Sequence, residues 1–296
     1  MSAPERRLPF QQVDVFTAVP FKGNPVAVVL DGAGLSTERM QAIAAWTNLS
    51  ETTFVCPASD PDADYRLRIF TPRAELPFAG HPTIGSAHAV LRHGRVPRRQ
   101  GRLVQECGKG LVEIRIEGER LFLGLPVPAF TAPAPEERAA AAAALGVPAG
   151  DVLHAAIVDV GAVWFTVQLR DAAQVAKLAP DMSAVAALSH APITGLNVFG
   201  FHADGASPAS GGAPAADVEV RSFAPAQGIP EDPVCGSGNG CVAALIRRER
   251  LLAADRYVAT QGRCLGRDGA VEVRFEDGAI WLGGHAVTCV EGTLTA

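Results

Sequence analysis

Glu51 sits in the segment NLSETTFV, between the end of a helical pattern and an apolar strand. A carboxylate placed there is either an edge group in water or a buried group. In the second case desolvation raises its pKa and makes it a usable acid or base near neutral pH. The sequence leaves both open. His81 follows Gly80 in FAGHPTIG and could donate to a substrate oxygen, relay a proton, or be a satisfied structural group. Asp232, in the triplet EDP, could share a proton with a substrate or cap the turn that follows it. Ser237, in PVCGSGNG, could bind a carboxylate, with a helix cap the simpler expectation.

Two turns carry these residues, Phe78–Gly85 and Pro233–Gly240, and each runs into a segment that is apolar nearly all round. A helix of that kind reads as one buried inside a wrapped sheet. Its glycine-led start, at Gly80 in one case and Gly236 in the other, presents backbone N–H groups and the positive end of the helix dipole to an anion. The competing explanation is that the glycines only allow a tight turn and close packing; two turns in register favour the anion site. The second turn is not a dinucleotide fingerprint, because its glycine spacing is wrong and a proline-rich loop precedes it. There is no GxxxxGK[ST] loop, no HExxH or HxxxH pair, and no third ligand beside His81 and His88. No metal, nucleotide or other cofactor is expected.

The elements that must hold these turns are strands and short helices. Strands are expected at Val13–Phe16, Pro25–Leu30, Thr52–Val55 and Tyr65–Phe70, and a hairpin at Leu111–Leu123 around Glu117-Gly118-Glu119. Ser36 is placed to cap a helix that buries Met40, Ile43, Ala44 and Thr47. Alanine-rich Glu136–Leu145 reads as a second helix stopped by Gly146 and Pro148. The aperiodic stretch VPAFTAPAP, Val127–Pro135, is the expected interdomain crossing, and the low-complexity segment 203–216 a solvent loop. The halves also echo each other. Arg68-Ile69-Phe70-Thr71-Pro72 matches Arg221-Ser222-Phe223-Ala224-Pro225, and each is followed by an acidic residue, the glycine-led turn and the apolar run. Gly23-Asn24-Pro25-Val26 is loosely matched by Gly161-Ala162-Val163-Trp164. A duplicated α/β half with a cleft between the copies follows. The expected division is 1–127, with 287–296 returning to it, and 128–286.

Composition limits the possibilities further. The 296 residues are 48% apolar and 19% charged, with a net charge of -5, which is too apolar for disorder and too acidic for a nucleic-acid binder without a basic stripe. No apolar run is long enough for a membrane span, and MSAPERRLPFQQVDVF has no secretory core. Six scattered cysteines without a CxxC pair read as reduced thiols in a cytoplasmic protein.

The segments DVFTAVPFKGNPVAVVL, NLSETTFV, RIFTPRAELPFAGHPTIGSAHAVL and RSFAPAQGIPEDPVCGSGNG run in this order from residue 14 to residue 240. Together they resemble the phenazine-biosynthesis PhzF-like family, related to diaminopimelate epimerase and proline racemase, over essentially the whole chain. The resemblance implies an α+β fold of two pseudo-symmetric domains, each a mostly antiparallel sheet wrapped around a central helix. It implies a homodimer and a cofactor-free proton shift on a small carboxylate, of the trans-2,3-dihydro-3-hydroxyanthranilate isomerase type. The family's catalytic glutamate falls on Glu51, its supporting histidine on His81, its aspartate on Asp232 and its serine on Ser237, with Gly80 and Gly236 flanking. Asn24 matches a position that helps hold substrate in the related epimerases. Those epimerases use two opposed cysteines; here Cys235 occupies the second position but Ala79 the first, which disfavours a two-thiol racemase. An amino-acid epimerase or racemase that uses Cys235, and a non-catalytic binding or regulatory member of the fold, are the alternatives.

Overall fold

The computed structural model describes residues 6–203 and 217–296, so the low-complexity segment lies, apart from Ala203, outside the described residues. The fold is mixed α+β and dominated by sheet. Backbone contacts divide the chain into two compact units, residues up to Leu123 with Gly283–Ala296, and Gly124–Leu282.

The first unit runs β1 (Arg7–Val15), β2 (Asn24–Val29), α1 (Thr37–Thr47), β3 (Thr52–Cys56), β4 (Tyr65–Phe70), β5 (Glu75–Leu76), α2 (Gly80–Arg92), β6 (Arg102–Cys107), β7 (Gly110–Glu117) and β8 (Arg120–Gly124). Pairing is antiparallel for β1–β2, β3–β4, β6–β7 and β7–β8, and parallel for β2–β3 and β4–β6. Parallel neighbours need a crossover, and α1 and α2 supply it. The Ser36 hydroxyl caps α1 by accepting from the Arg39 N–H at 3.2 Å, and the helix buries Met40, Ile43 and Ala44. Thr47 instead turns back, its hydroxyl donating to the Ala44 carbonyl and meeting the Thr52 hydroxyl at 2.6 Å. Asn48, left-handed at φ 55°, ends α1 and leads the chain through Glu51 into β3.

Helix α2 packs against β1, β2, β3 and β4 and is buried from His81 through Ala87 and again at Ala89 and Val90. Gly85 makes that possible. A Cβ there would lie 2.3 Å from Val26 Cγ1 and 2.9 Å from Val15 Cγ2.

The second unit runs β9 (Ala129–Thr131), α3 (Pro135–Leu145), β10 (His154–Asp159), β11 (Val163–Gln168), α4 (Ala172–Ala176), α5 (Met182–Leu188), β12 (Ile193–Phe201), β13 (Val218–Ala224), β14 (Ile229–Asp232), α6 (Gly236–Glu249), β15 (Arg256–Gln261) and β16 (Gly269–Glu276). Its pairing repeats that of the first: antiparallel β10–β11, parallel β11–β12, antiparallel β12–β13, parallel β13–β15, antiparallel β15–β16. Helix α6 is buried from Gly238 through Ile246 and packs on β10, β11, β12 and β16. The stretch read as aperiodic contains β9, which pairs with β10; three residues are too few to show alternation. The last strand, β17 (Ala279–Thr295), leaves the second unit, enters the first, and pairs antiparallel with the whole of β1.

The repeated Arg-x-Phe…Glu signature has a physical explanation. In the first unit Arg68 on β4 forks onto Glu75 of β5, with both bonds at 2.7 Å, and lies over the Phe70 ring. In the second, Arg221 on β13 forks onto Glu231 of β14, with both bonds at 2.8 Å, and lies over the Phe223 ring. Residues two apart on a strand share a face, which lets one guanidinium serve both the carboxylate and the ring. Each fork pins the short strand that leads into the helix start. Gly85→Ala is expected to lower the unfolding free energy by about 1–3 kcal/mol through overpacking against Val26 and Val15, read by chemical denaturation.

Candidate functional site

The site residues of the first unit gather at the start of α2. Glu51 Oε2 lies 3.2 Å from His81 Nε2, and the two side chains are only 14% and 8% exposed, so the reading of Glu51 as an edge group in water does not hold. Parallel pairing fixes the glutamate's backbone, because its carbonyl accepts from the Ala27 N–H at 3.3 Å. His81 is the second residue of α2. Burial lowers its pKa to about 3, opposed only by a hydrogen bond to the backbone carbonyl of Pro25, so the ring is neutral at physiological pH. With one nitrogen donating to Pro25, Nε2 presents a lone pair to Glu51, and a proton taken up by Glu51 has an acceptor 3.2 Å away. Asn24, wholly buried at the head of β2, is the residue next to Pro25.

Ala79 provides no side-chain cap for α2, and Pro82 in the first turn has no N–H to satisfy. At Gly80 a Cβ would meet nothing within 4 Å, and its φ is not in the left-handed region. Neither a tight turn nor close packing therefore explains the glycine at that position. The first turn is braced from below: Tyr65 donates to Gln105 Oε1 at 2.9 Å, and Gln105 Nε2 donates to the Thr83 hydroxyl at 3.1 Å.

In the second unit Asp232, Cys235 and Ser237 come together at the start of α6. Asp232 Oδ1 accepts from the Val234 N–H at 3.0 Å, and the Cys235 thiol also bonds the carboxyl. Burial outweighs these bonds and raises the Asp232 pKa to about 6. The N-cap is Cys235, whose sulfur accepts from the Gly238 N–H at 3.2 Å. The expectation that Ser237 caps the helix is therefore corrected. Ser237 is the second helical residue, two positions past the cap, and its oxygen instead accepts from Trp164 Nε1 at 2.9 Å. The Ser237 hydroxyl also meets the Cys235 sulfur at 3.6 Å. Burial, then the neighbouring Asp232 charge, push the Cys235 thiol well above the usual range, against the lowering expected at a helix start. Gly236 opens α6 and is buried; Gly238 is needed for packing, since a Cβ would lie 2.7 Å from Ser222 Oγ and 2.9 Å from Asn197 Oδ1.

Sequence reasoning passed over Trp164, Asn197, Ser222, Asn239 and Gln261, which support this second cluster. Trp164, Ser222 and Asn239 stand in the segments that match between the halves, whereas Asn197 and Gln261 carried no local signal. Among the described residues no group of three or more His, Cys, Asp or Glu is placed to hold a metal ion, and no helix is long and apolar enough to cross a membrane.

A family model described as PhzC-PhzF, phenazine biosynthesis-like protein, matches residues 13–292. The chain belongs to this family of isomerases. It is 38% identical to the antisense-enhancing sequence 1 protein of Schizosaccharomyces pombe, over 96% of this chain and 97% of that one. It is 33% identical to the trans-2,3-dihydro-3-hydroxyanthranilate isomerase of Pseudomonas aeruginosa, over 95% and 96%. Among solved structures, the PhzF-family phenazine biosynthesis protein of Bacillus anthracis superposes with a TM-score of 0.83 at 25% identity, over 98% of this chain and 99% of that one.

Two outcomes test this description. Gly80→Ala is expected to unfold within about 0.5 kcal/mol of the wild type, whereas Gly238→Ala loses more than about 1 kcal/mol; paired thermal melts check the contrast. A carboxyl raised to about 6 contributes stability below the ordinary aspartate pKa and loses it as pH rises through 6. Asp232→Asn is therefore expected to exceed the wild type by about 2 kcal/mol at pH 7.5 and to match it near pH 4, measured by denaturant titration at both pH values.

Proposed function

We propose that this chain is a cofactor-independent isomerase that moves a proton on a small carboxylic acid, with Glu51 as the acid/base. The observation that carries the reading is the buried contact of Glu51 Oε2 with the neutral His81 ring. Glu51 takes a weakly acidic C–H proton, and the electron pair left on carbon is delocalised toward the substrate's unsaturated or carboxyl oxygen. His81 shares the proton held on Glu51. The proton returns to a different carbon of the same molecule from Glu51, and by the family resemblance Asp232, whose pKa burial raises to about 6, is a further acid/base. The N–H groups at the start of α2 are the donors for the developing negative charge, and by the family resemblance Ser237 binds substrate. Such preorganised donors are worth about 3 kcal/mol each.

The relative named trans-2,3-dihydro-3-hydroxyanthranilate isomerase supports a ring carboxylate as the substrate class. The family resemblance supports a homodimer, and the reduced thiols support a cytoplasmic location. An epimerase that uses Cys235 is disfavoured, because a thiol pushed up by burial is a poor base near neutral pH. The non-catalytic reading draws on the fission-yeast relative, whose name states no reaction.

Proton NMR in deuterated water with a panel of small carboxylates separates these readings. The wild type is expected to wash deuterium into one of them, and Glu51→Gln to slow this by about 100-fold or more. Exchange that survives in Glu51→Gln removes Glu51 from the reaction. Exchange lost in Cys235→Ser but kept in Glu51→Gln moves the chemistry to the thiol.

A further inference from the structure

Beneath the start of α6 one side chain touches nearly every element of the second cluster. Gln261, the last residue of β15, is wholly buried. Its Oε1 accepts from the Cys235 N–H at 3.1 Å and from Asn239 Nδ2 at 2.8 Å. Its Nε2 donates to Ser222 Oγ at 3.2 Å and to the Asp232 carbonyl at 3.0 Å. The orientation of the amide is forced. A backbone N–H can only donate and a backbone carbonyl can only accept, so exchanging the oxygen and nitrogen would break both backbone bonds. All four capacities of the amide are thus used, on both sides of the Asp232–Cys235 turn. Asn239 adds a second tie, donating to the Cys235 carbonyl at 2.9 Å.

The first unit has a counterpart. Gln105, also wholly buried and on the strand that follows the central helix, bonds Thr83, which holds in α2 the place Asn239 holds in α6, four residues after the cap. Among the described residues the Gln105 side chain bonds Tyr65 and Thr83 and not the cap residue or the turn before it, whereas Gln261 bonds both.

We propose that Gln261 is a positioning residue of the active site: its amide locks the Asp232–Cys235 turn and thereby sets the direction of the Asp232 carboxyl and of the first N–H groups of α6. The proposal rests on the proton-transfer reading given above. It gives a buried amide, remote from any proton in flight, control over how readily Asp232 is protonated. The charged and titratable groups acting on that carboxyl are Glu231 beside it, the Cys235 thiol at the helix cap and, through its fork onto Glu231, Arg221 of β13. Releasing the turn admits water to the carboxyl and relieves its desolvation.

The test pairs Gln261→Met, close in shape but without the amide, with Gln105→Met, which removes comparable buried bonds from the other unit. The Asp232 carboxyl is titrated by 13C NMR in the unliganded protein, and kcat and KM are taken from deuterium exchange. In Gln261→Met the Asp232 midpoint is expected to fall by about one pH unit toward the ordinary aspartate range. Its kcat is expected to fall by about 100-fold, with KM changed much less, as for a misplaced catalytic group. Gln105→Met leaves the midpoint at its wild-type value. Where Gln261→Met does not fold, Gln261→Asn, a neutral amide one methylene too short to span both sides of the turn, carries the same reading. A folded Gln261 variant whose midpoint and kcat both match the wild type overturns the proposal. A wild type that exchanges no carboxylate proton, beside a variant whose midpoint still moves, overturns the proton-transfer reading instead.

Discussion

A helix sealed inside a sheet cannot leave the polar groups of its first turn to bulk water. They must be met by protein, or kept for a ligand. Most of the structure described here serves that constraint. The second unit meets it with a cysteine sulfur in the cap position and a web of Asn197, Ser222, Asn239 and Gln261 beneath it. The first meets it differently. Ala79 contributes no cap, Pro82 carries no N–H, and Gly80 keeps the approach to the backbone open. The chemistry proposed for Glu51 and Asp232 uses the same desolvation that makes the helix starts demanding. It turns one carboxyl toward a neutral imidazole and raises the pKa of the other.

The duplicated half is more than a sequence echo, because the residues that match are the ones under mechanical constraint. Arg68 and Arg221 each hold a glutamate on a two- or four-residue strand too short to fix itself by backbone pairing. Without those forks the chain between sheet and helix would be tied at one end only. The two copies then diverge where chemistry is at stake: histidine against serine at the second helical residue, alanine against cysteine at the cap. Structural clamps are retained in both, and the positions proposed to meet substrate are not.

Much of this was legible in the sequence, for reasons that can be named. Strands such as Pro25–Leu30 announce themselves by β-branched runs, and the α1 cap by Ser36 ahead of a periodic stripe. Glu51 stood out because a carboxylate between a helix end and an apolar strand has little access to solvent. The interactions that went unseen are long-range. Trp164 reaches Ser237 across 73 positions, and Gln261 reaches Ser222 across 39, and no local pattern encodes either. The Ser237 cap was misjudged because a cap depends on which residue is first in the helix, and a shift of two transfers the task to Cys235. The thiol's acidity shows a related competition: a helix start favours the thiolate, but burial at the same spot disfavours it more strongly.

The return of β17 also bears on how the molecule is made. β1 is translated well before the strand that flanks it along its whole length, which lies at 286–295. During synthesis the first unit therefore waits with one edge of β1 unsatisfied, while the second unit is one continuous stretch, Gly124–Leu282. The continuous unit is in a position to finish first, and the split one depends on a distant downstream stretch to hide an edge that would otherwise pair with other chains.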